Sequence, residues 1–300
     1  MTSPPLKFGL IGTGYWARIA HAPTLASTQG IELAAIWGRN PAATAELAAA
    51  YRATPHEDLG AFLVGVDAVA FAVPPDVQAP IAARAARAGK HLLLEKPIAL
   101  SEAGADELVE AVERNQVASV VFFTLSFQPR MRAWLADAAA RGGWSGGDAA
   151  WFGSSLLGAS PFNTPWRQEK GALWDLGPHV VSLLWAVLGP VTAVTADAGP
   201  GDVAHLVLHH RDGPSSVVTV TQSGGEAARG FQAYIWGACG ESDAPAAASD
   251  PVVPLRTALT ELAQNVRSGR TRHPCDVRFG RDVGRVLAQA QRQLDERAAG

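Results

Sequence analysis

Short apolar runs alternate with amphipathic stretches through the first 122 residues of the chain. The apolar runs predict strands at residues 7–11, 31–37, 67–73, 91–94 and 117–123. The intervening stretches predict helices that end near residue 27 and that cover 41–51, 76–88 and 101–114. Regular alternation of strands and helices is typical of a parallel sheet with helices on both faces.

The pattern changes after residue 122, where we expect a second domain, 123–300, to follow the first, 1–122. A helix is predicted near 127–140, a turn-rich segment at 142–147 and strands at 148–154, 191–197, 203–210, 215–222 and 231–237. The last four strands follow one another without helical crossovers, so an open, mainly antiparallel sheet is expected. A loop is predicted over 241–254, and two helices, near 254–268 and 281–298, close the chain; the last could pack on the first domain.

A glycine motif follows the first predicted strand. Gly12, Gly14 and Ala17 match the G-x-G-x-x-G/A pattern between a strand and a helix, which predicts a Rossmann dinucleotide-binding domain. Gly12 allows a tight turn, Gly14 lets the backbone approach a pyrophosphate, and Ala17 lets helix and strand pack closely. Tyr15 and Trp16 lie inside this loop and are expected beside the cofactor. The alternative interpretation is a glycine turn that binds no ligand.

The end of the second predicted strand bears on which dinucleotide binds. NAD-binding folds usually place an acidic residue there to hold the ribose 2′-hydroxyl, but this chain has Gly38 followed by Arg39. A guanidinium pairs with a 2′-phosphate, so NADP(H) is the preferred cofactor and NAD(H) the alternative. The alternative requires that Arg39 is a solvated residue at a helix start.

Two further motifs carry candidate chemistry. Lys96 ends a buried run at a Glu-Lys-Pro corner, where open α/β sheets hold their ligands. Asp175 and His179 are four residues apart beside a Gly-Pro helix start, and a carboxylate beside an imidazole suits a general base near neutral pH. Taken alone, each has a structural alternative: a surface turn for Lys96, and a capping Asp with a structural His for the second pair.

Together these motifs resemble the glucose–fructose oxidoreductase / inositol 2-dehydrogenase (Gfo/Idh/MocA) family. The resemblance runs from about residue 6 to 296 and includes Arg39-Asn40-Pro41, the Pro74-Pro75 turn and the Leu188-Gly189-Pro190 turn. It implies a catalytic Lys96, often followed by a cis proline, an acid/base His179 and its polar partner Asp175. It also implies a cofactor site that comprises Gly12, Gly14, Tyr15, Trp16, Ala17, Arg39, Asn40, Pro74, Pro75, Gln78, Glu95 and Lys96.

The chain departs from the family pattern at three places. Gln78 stands where many members have His, Ser182 where many have Asp, and Glu169-Lys170-Gly171-Ala172 where many have a glycine cluster. Ser182 removes a carboxylate that could contact a polyol hydroxyl, which puts a myo-inositol-like substrate in doubt. The resemblance also implies that two subunits pack sheet to sheet, so a homodimer or homotetramer is expected.

The expected activity is hydride transfer between the nicotinamide and a secondary alcohol or ketone of a sugar, sugar derivative or cyclic polyol. Phe127, Trp166 and Arg167 are candidate substrate contacts. Trp151 and Trp174 are further aromatic candidates. Core packing explains Trp166 equally well and is the favoured interpretation of Trp151 and Trp174. A member of the same fold could instead bind the dinucleotide as a sensor without turnover. The presence of Lys96, Asp175 and His179 together favours an enzyme.

Composition excludes several other classes of protein. The 300 residues carry a net charge of −3 with no basic footprint for nucleic acid, and no metal is expected. Two cysteines, the lack of a signal peptide and the lack of a long apolar run predict a cytoplasmic protein that does not enter a membrane. Histidines 205, 209 and 210 are read as a strand edge rather than a metal site. Six arginines between 267 and 285 are read as a solvated face rather than a phosphate site.

Overall fold

The structure, a computed structural model, describes residues 4–228 and 230–299. It divides the chain into two compact units. The first unit comprises Met1–Phe122 and Asp250–Arg281, and the second comprises Phe123–Ser249 and Asp282–Gly300. The first boundary falls where the predicted pattern changes, but residues 250–281 belong with the first unit rather than the second.

The first unit contains six strands and their connecting helices in the predicted alternating order. In chain order they are β1 (Leu6–Ile11), a π-helical turn (Ala17–His21) leading into α1 (Ala22–Ser27), β2 (Ile31–Trp37), α2 (Pro41–Tyr51), β3 (Thr54–His56), α3 (Leu59–Val64), β4 (Ala68–Phe71), α4 (Pro75–Arg87), β5 (His91–Leu94), α5 (Glu102–Arg114) and β6 (Ser119–Val121). Side chains cap several of these helices: Asn40, Asp58 and Ser101 each accept a hydrogen bond at the start of α2, α3 and α5.

All six strands pair in parallel in the order β3-β2-β1-β4-β5-β6. The central strands are buried on both faces, as expected for a parallel sheet covered by helices, and their largest buried side chains include Phe8, Leu10, Phe71 and Leu92. Because parallel neighbours end at the same edge, the segments that follow β1, β2, β4 and β5 meet there. The sequence therefore correctly predicts the Rossmann sheet but misses β3 and α3, which are too short to show a clear period.

The second unit contains a mixed sheet and several covering helices. In chain order they are α6 (Thr124–Phe127), α7 (Pro129–Arg141), β7 (Trp144–Phe152), α8 (Pro165–Asp175), α9 (Gly177–Leu188), β8 (Val191–Ala198), β9 (Ala204–His210), β10 (Ser215–Thr221), β11 (Gly230–Gly237) and β12 (Gly240–Asp243). Two long helices complete the chain, α10 (Val252–Ser268) and α11 (Val277–Ala299).

The second sheet has the order β12-β11-β7-β10-β9-β8 and is mainly antiparallel, as predicted. One pair differs, since β10 runs parallel to β7. The two helices and two strands that separate β7 from β10 in sequence provide the long crossover that a parallel pair requires. Two local predictions are wrong: Trp144–Gly147 begins a strand instead of a turn, and Gly240–Asp243 is a strand instead of a loop.

The second sheet is covered on one face and open on the other. Helices α8 and α9 pack against β7 and β10, and alternate residues of β9 and β10 are buried beneath them. The helical stretch Pro165–Leu188 is long and apolar enough to cross a membrane, yet 78% of its most apolar window is buried within the protein. That burial is typical of a core helix.

Candidate active site

The glycine loop after β1 has the geometry of a pyrophosphate cradle. Gly12 has a φ of +120°, its amide donates to the Trp37 carbonyl at 2.9 Å, and a Cβ there would lie 2.4 Å from the Ala72 carbonyl oxygen. Gly14 is exposed, and a Cβ there would meet nothing within 4 Å. Ala17 is fully buried. The first glycine is therefore required by the fold, whereas the second leaves open space beside the backbone that a phosphate group would fit.

A positively charged side chain, Arg39, lies just after the end of β2. Arg39 is exposed, and within the described residues it makes no hydrogen bond or ion pair. The neighbouring Arg18 is different, because both its terminal nitrogens bond the Glu46 carboxylate, at 3.0 and 3.1 Å. That pairing lowers the pKa of Glu46 below its usual range. Arg39 is thus the cation available for an anion at this strand end.

Gly38 and Asn40, on either side of Arg39, are shaped by local packing. A Cβ at Gly38 would lie 2.9 Å from both Thr13 Cγ2 and Thr44 Oγ1, so an acidic residue would fit here only if those side chains moved. Asn40, expected in the cofactor site, uses its side-chain oxygen to cap α2 through the Ala43 amide at 3.1 Å.

The Glu95 carboxylate joins the Glu-Lys-Pro corner to the glycine loop. Its Oε1 accepts a hydrogen bond from Trp16 Nε1 at 2.6 Å and lies 2.8 Å from His21 Nε2. His21 is fully buried, and the rings of Trp16 and His21 meet edge to face with centroids 6.4 Å apart. Trp16 is therefore held against the corner that carries Lys96, and the His21 contact could not be inferred from sequence.

The corner itself is held by Gln78. The Lys96–Pro97 bond is cis, as the resemblance implied. Gln78, expected in the cofactor site, is fully buried, and its amide bonds the backbone of the corner. Its contact with the cofactor stays a prediction. Of the Pro74-Pro75 turn, Pro75 is buried at the start of α4 and Pro74 is half-buried.

His179 and Asp175 lie in the second unit on an almost continuous helix. The backbone bends at Gly171, where φ is +63°, and runs on through Leu176 in helical conformation into α9. Residues four apart on a helix share a face, and both residues are only 5% exposed. The Trp151 indole lies beside the imidazole, with ring centroids 5.3 Å apart. Ser182 donates its hydroxyl to the His179 carbonyl at 2.9 Å and is 1% exposed, so it faces its own helix.

Asp175 is the centre of a polar network that the sequence did not reveal. Arg167 Nε donates to Asp175 Oδ2 at 2.9 Å, and the Gln222 amide donates to the same oxygen. The Gln222 backbone amide in turn donates to Asp202, at 2.8 Å. Gln222 follows β10 and Asp202 lies before β9, so only the folded sheet brings them beside α8. Asp175 Oδ2 therefore accepts from two side chains, a guanidinium and an amide.

The other predicted residues divide between the site and the core. The Arg167 guanidinium carbon lies 4.5 Å from the centroid of the Trp166 ring and 5.5 Å from that of the Phe162 ring. Because Arg167 also bonds Asp175, the two substrate candidates Trp166 and Arg167 lie next to that carboxylate. Phe127, the third substrate candidate, is fully buried. Trp174 is a core residue whose indole nitrogen donates to Gln291 at 3.0 Å.

The three histidines lie on β9, which is inside the second sheet between β8 and β10. His210 is buried between the Gly189 carbonyl and the Ser216 hydroxyl. Among the described residues no group of three His, Cys, Asp or Glu side chains could hold a metal. Most of the six arginines are engaged by carboxylates or backbone: Arg272 and Arg278 by Glu113, Arg281 by Asp106, Arg285 by Asp282, and Arg267 by the Gly30 carbonyl.

A parallel sheet with a glycine cradle at its carboxyl edge, followed by a unit with a mainly antiparallel sheet, defines a two-domain dinucleotide-binding protein. Comparison with known families agrees: residues 6–123 match the NAD-binding Rossmann domain of the Gfo/Idh/MocA oxidoreductases and residues 107–241 match a C-terminal domain of the same family. The chain belongs to the Gfo/Idh/MocA oxidoreductase family.

Individual relatives match only part of the chain, at about one third identity. The chain is 32% identical over 209 residues to an uncharacterised oxidoreductase of Synechocystis, a match that covers 65% of this chain and 54% of that protein. It is 34% identical over 116 residues to the UDP-N-acetylglucosamine 3-dehydrogenase of Acidithiobacillus ferrooxidans, covering 38% and 36% of the two chains. The chain thus spans about half of the first relative and about a third of the second.

A solved structure shares the whole fold. GenD2 from gentamicin A biosynthesis, determined in complex with NAD, superposes with a TM-score of 0.85 at 21% identity, and the match covers 99% of this chain and 96% of that one. At this identity the likeness establishes the architecture of both units.

Proposed function

We propose that this protein is an NADP(H)-preferring oxidoreductase that interconverts a secondary alcohol and a ketone on a sugar, a sugar derivative or a cyclic polyol. The observation that carries the proposal is in the first unit. The glycine cradle and the Lys96 corner lie at the same edge of one parallel sheet, and the Trp16–Glu95 hydrogen bond joins them. A lysine held beside a nicotinamide site suits carbonyl and alkoxide chemistry.

The residues present fit a bound dinucleotide. Open space at Gly14 admits a pyrophosphate, and the uncommitted Arg39 offers a partner for a 2′-phosphate. The crowding at Gly38 by Thr13 and Thr44 disfavours the acidic residue that would select a free ribose hydroxyl. When bound, the nicotinamide supplies or accepts the hydride.

Two side chains of the protein would remove the hydroxyl proton and stabilise the negative charge on the substrate oxygen. In alcohol oxidation, His179 takes the hydroxyl proton as general base, and the Lys96 ammonium stabilises the negative charge that develops on oxygen. Asp175, which accepts hydrogen bonds from Arg167 and Gln222, places a carboxylate four residues before His179, where its charge would stabilise the protonated imidazole. Ketone reduction uses the same groups in reverse order.

The substrate class is supported by the second unit. Planar polar groups and aromatic rings together suit a polyhydroxylated ring, and Arg167, Asp175 and Trp166 provide such a set. The relative from Acidithiobacillus is named for a reaction on a sugar nucleotide, which agrees with this class. Ser182, which faces its own helix, offers no carboxylate to a polyol, so a substrate other than myo-inositol is favoured.

The test has two stages. First, tryptophan-to-nicotinamide energy transfer measures NADPH and NADH binding to the wild type. Second, a panel of polyols, sugars and keto sugars is screened for turnover with both wild type and Lys96→Ala. We expect NADPH binding in both proteins and a loss of roughly 10²–10³ in kcat for Lys96→Ala, the scale for loss of one alkoxide-stabilising group. Binding without turnover on any substrate would instead indicate a dinucleotide sensor.

We also propose that the protein is a cytoplasmic homo-oligomer that associates through the open face of the second sheet. Val207 and Val217 pair across β9 and β10, and Tyr234 and Trp236 continue the face on β11; all four are about 40% exposed. A monomer rarely leaves such a row on a flat sheet uncovered. Sedimentation should show a dimer or tetramer that Val217→Lys with Trp236→Glu dissociates, whereas a wild-type monomer would contradict this.

A further inference from the structure

We propose that Gln78 is a positioning residue for Lys96, and that its amide sets the place of the lysine by clamping the backbone on both sides of it. The clamp is built entirely within the first unit, from the first turn of α4 and the segment that follows β5. This proposal rests on the catalytic role proposed for Lys96 above.

The side chain of Gln78 bonds the corner on both sides of the lysine. On the N-terminal side, Oε1 accepts the Glu95 amide at 2.8 Å while Nε2 donates to the Glu95 carbonyl at 2.8 Å. On the C-terminal side, the same Nε2 lies 3.3 Å from the carbonyls of Pro97 and Ile98. The Gln78 amide bonds both the backbone N–H and the backbone carbonyl of Glu95, as a residue on a neighbouring strand would. It therefore extends the hydrogen-bonding pattern of β5 by one residue beyond Leu94.

Because Gln78 is buried, its hydrogen bonds to the corner are difficult to replace. Gln78 is 0% exposed, so no water replaces a bond that is lost. The Gln78 side chain donates through Nε2 and accepts through Oε1. The corner therefore needs both a donor and an acceptor at this position. A side chain that offers only one of them leaves a backbone group of Glu95 without this partner.

The consequence for Lys96 follows from geometry. A side chain that must stabilise charge at one atom depends on the position of its Cα, and here one amide bonds the backbone on both sides of that Cα. A displacement of about 1 Å at a reacting centre can cost on the order of 10²-fold in rate. Loss of the clamp should therefore reduce catalysis through Lys96 and leave the glycine cradle intact.

The decisive experiment is a double-mutant cycle. Gln78→Met keeps the length and volume of the side chain but removes every hydrogen bond; Ala82→Gly, one turn along α4 and also fully buried, is the matched control for lost helix stability. Each is made in the wild type and in Lys96→Ala, and kcat is measured with the best substrate of the panel, together with the NADPH Kd.

We expect Gln78→Met to lower kcat roughly ten- to a hundredfold in the wild type. In Lys96→Ala the same change should lower residual turnover less than about twofold, because the lysine through which it acts is gone. The NADPH Kd should stay within about twofold. An equal loss in both backgrounds, or a loss matched by Ala82→Gly, would show that Gln78 only supports the fold and would overturn the proposal.

A second measurement needs no turnover, so a failure of the proposed reaction does not obscure the result. The chain has four lysines, Lys7, Lys90, Lys96 and Lys170, and reductive methylation with carbon-13 gives each a resonance that Lys→Arg variants assign. Gln78→Met should shift the Lys96 resonance alone, and Ala82→Gly should not. An unmoved Lys96 resonance in folded Gln78→Met would overturn the positioning role even if no substrate is ever found.

Discussion

The two glycines of the cofactor loop should respond oppositely to the same added methyl group. At Gly12 the backbone has a φ of +120° and the new Cβ would lie 2.4 Å from the Ala72 carbonyl oxygen. Backbone strain and overpacking each cost about 1–3 kcal/mol. Gly12→Ala should therefore lower the free energy of unfolding by several kcal/mol, and the loss of cofactor binding would follow from the damaged loop.

At Gly14 the same methyl meets nothing within 4 Å, so the fold should tolerate it within about 1 kcal/mol. The methyl would, however, occupy the space proposed for a phosphate oxygen. Losing one charge-assisted bond of about 1.5–3 kcal/mol raises the NADPH Kd roughly ten- to a hundredfold.

The assay combines urea unfolding with fluorescence titration of NADPH for Gly12→Ala, Gly14→Ala and the control Gly284→Ala. Gly284 lies in α11 and also has open space at its Cβ, so its variant should bind NADPH normally. Wild-type NADPH affinity in a stable Gly14→Ala protein would refute the assignment of this loop as the pyrophosphate cradle.

Arg39→Leu should weaken NADPH binding roughly ten- to a hundredfold and leave NADH binding unchanged in paired titrations, since only the 2′-phosphate loses a charged partner; equal effects on both would contradict the preference. Asp202→Ala should cost about 2–4 kcal/mol in urea unfolding, because its carboxylate accepts from Thr221, Ser223 and the Gln222 and Ala172 amides, whereas Asp202→Asn should cost less. Burial lowers the pKa of His91, so the native state binds fewer protons there than the unfolded state and stability falls as pH drops below about 6.5. The stability advantage of wild type over His91→Asn should therefore shrink between pH 7 and 5, and a constant difference would argue against a buried neutral imidazole.

The sequence predicts most of the first unit because its signals are local. Each central strand is a continuous apolar run, and the glycine motif has strict spacing between a strand and a helix. The Gfo/Idh/MocA membership followed from three motifs in order, and the family match confirms it. The NADP preference and the site roles stay predictions.

The errors have physical causes that a single sequence hides. The start of β7 contains Gly146 and Gly147, a turn signal, but the Trp236 indole packs where a Cβ at Gly146 would be, within 2.6 Å, so the glycines serve close packing. Strand β12 has no apolar alternation and forms by pairing with β11.

The supporting residues of the candidate site were missed for a different reason. Gln222 bonds Asp175, which is 47 residues away in the sequence. Asp202 bonds Ala172, 30 residues away, and His21 lies against Glu95, 74 residues away. No spacing rule connects them, because only the folded sheets bring them together. Gln78 departs from the family pattern, but its burial was not visible in the sequence.

We propose that this protein transfers hydride between a nicotinamide and a carbon atom of a sugar-like substrate. The most direct test uses NADPH deuterated at nicotinamide C4 on each face in turn, with a keto sugar that the screen identifies, and mass spectrometry of the product. The proposed function predicts one deuterium on the new carbinol carbon from one face only, with Lys96→Ala slowing its appearance. NADPH oxidation that leaves the sugar without deuterium, or the absence of any reaction despite tight NADPH binding, would contradict it.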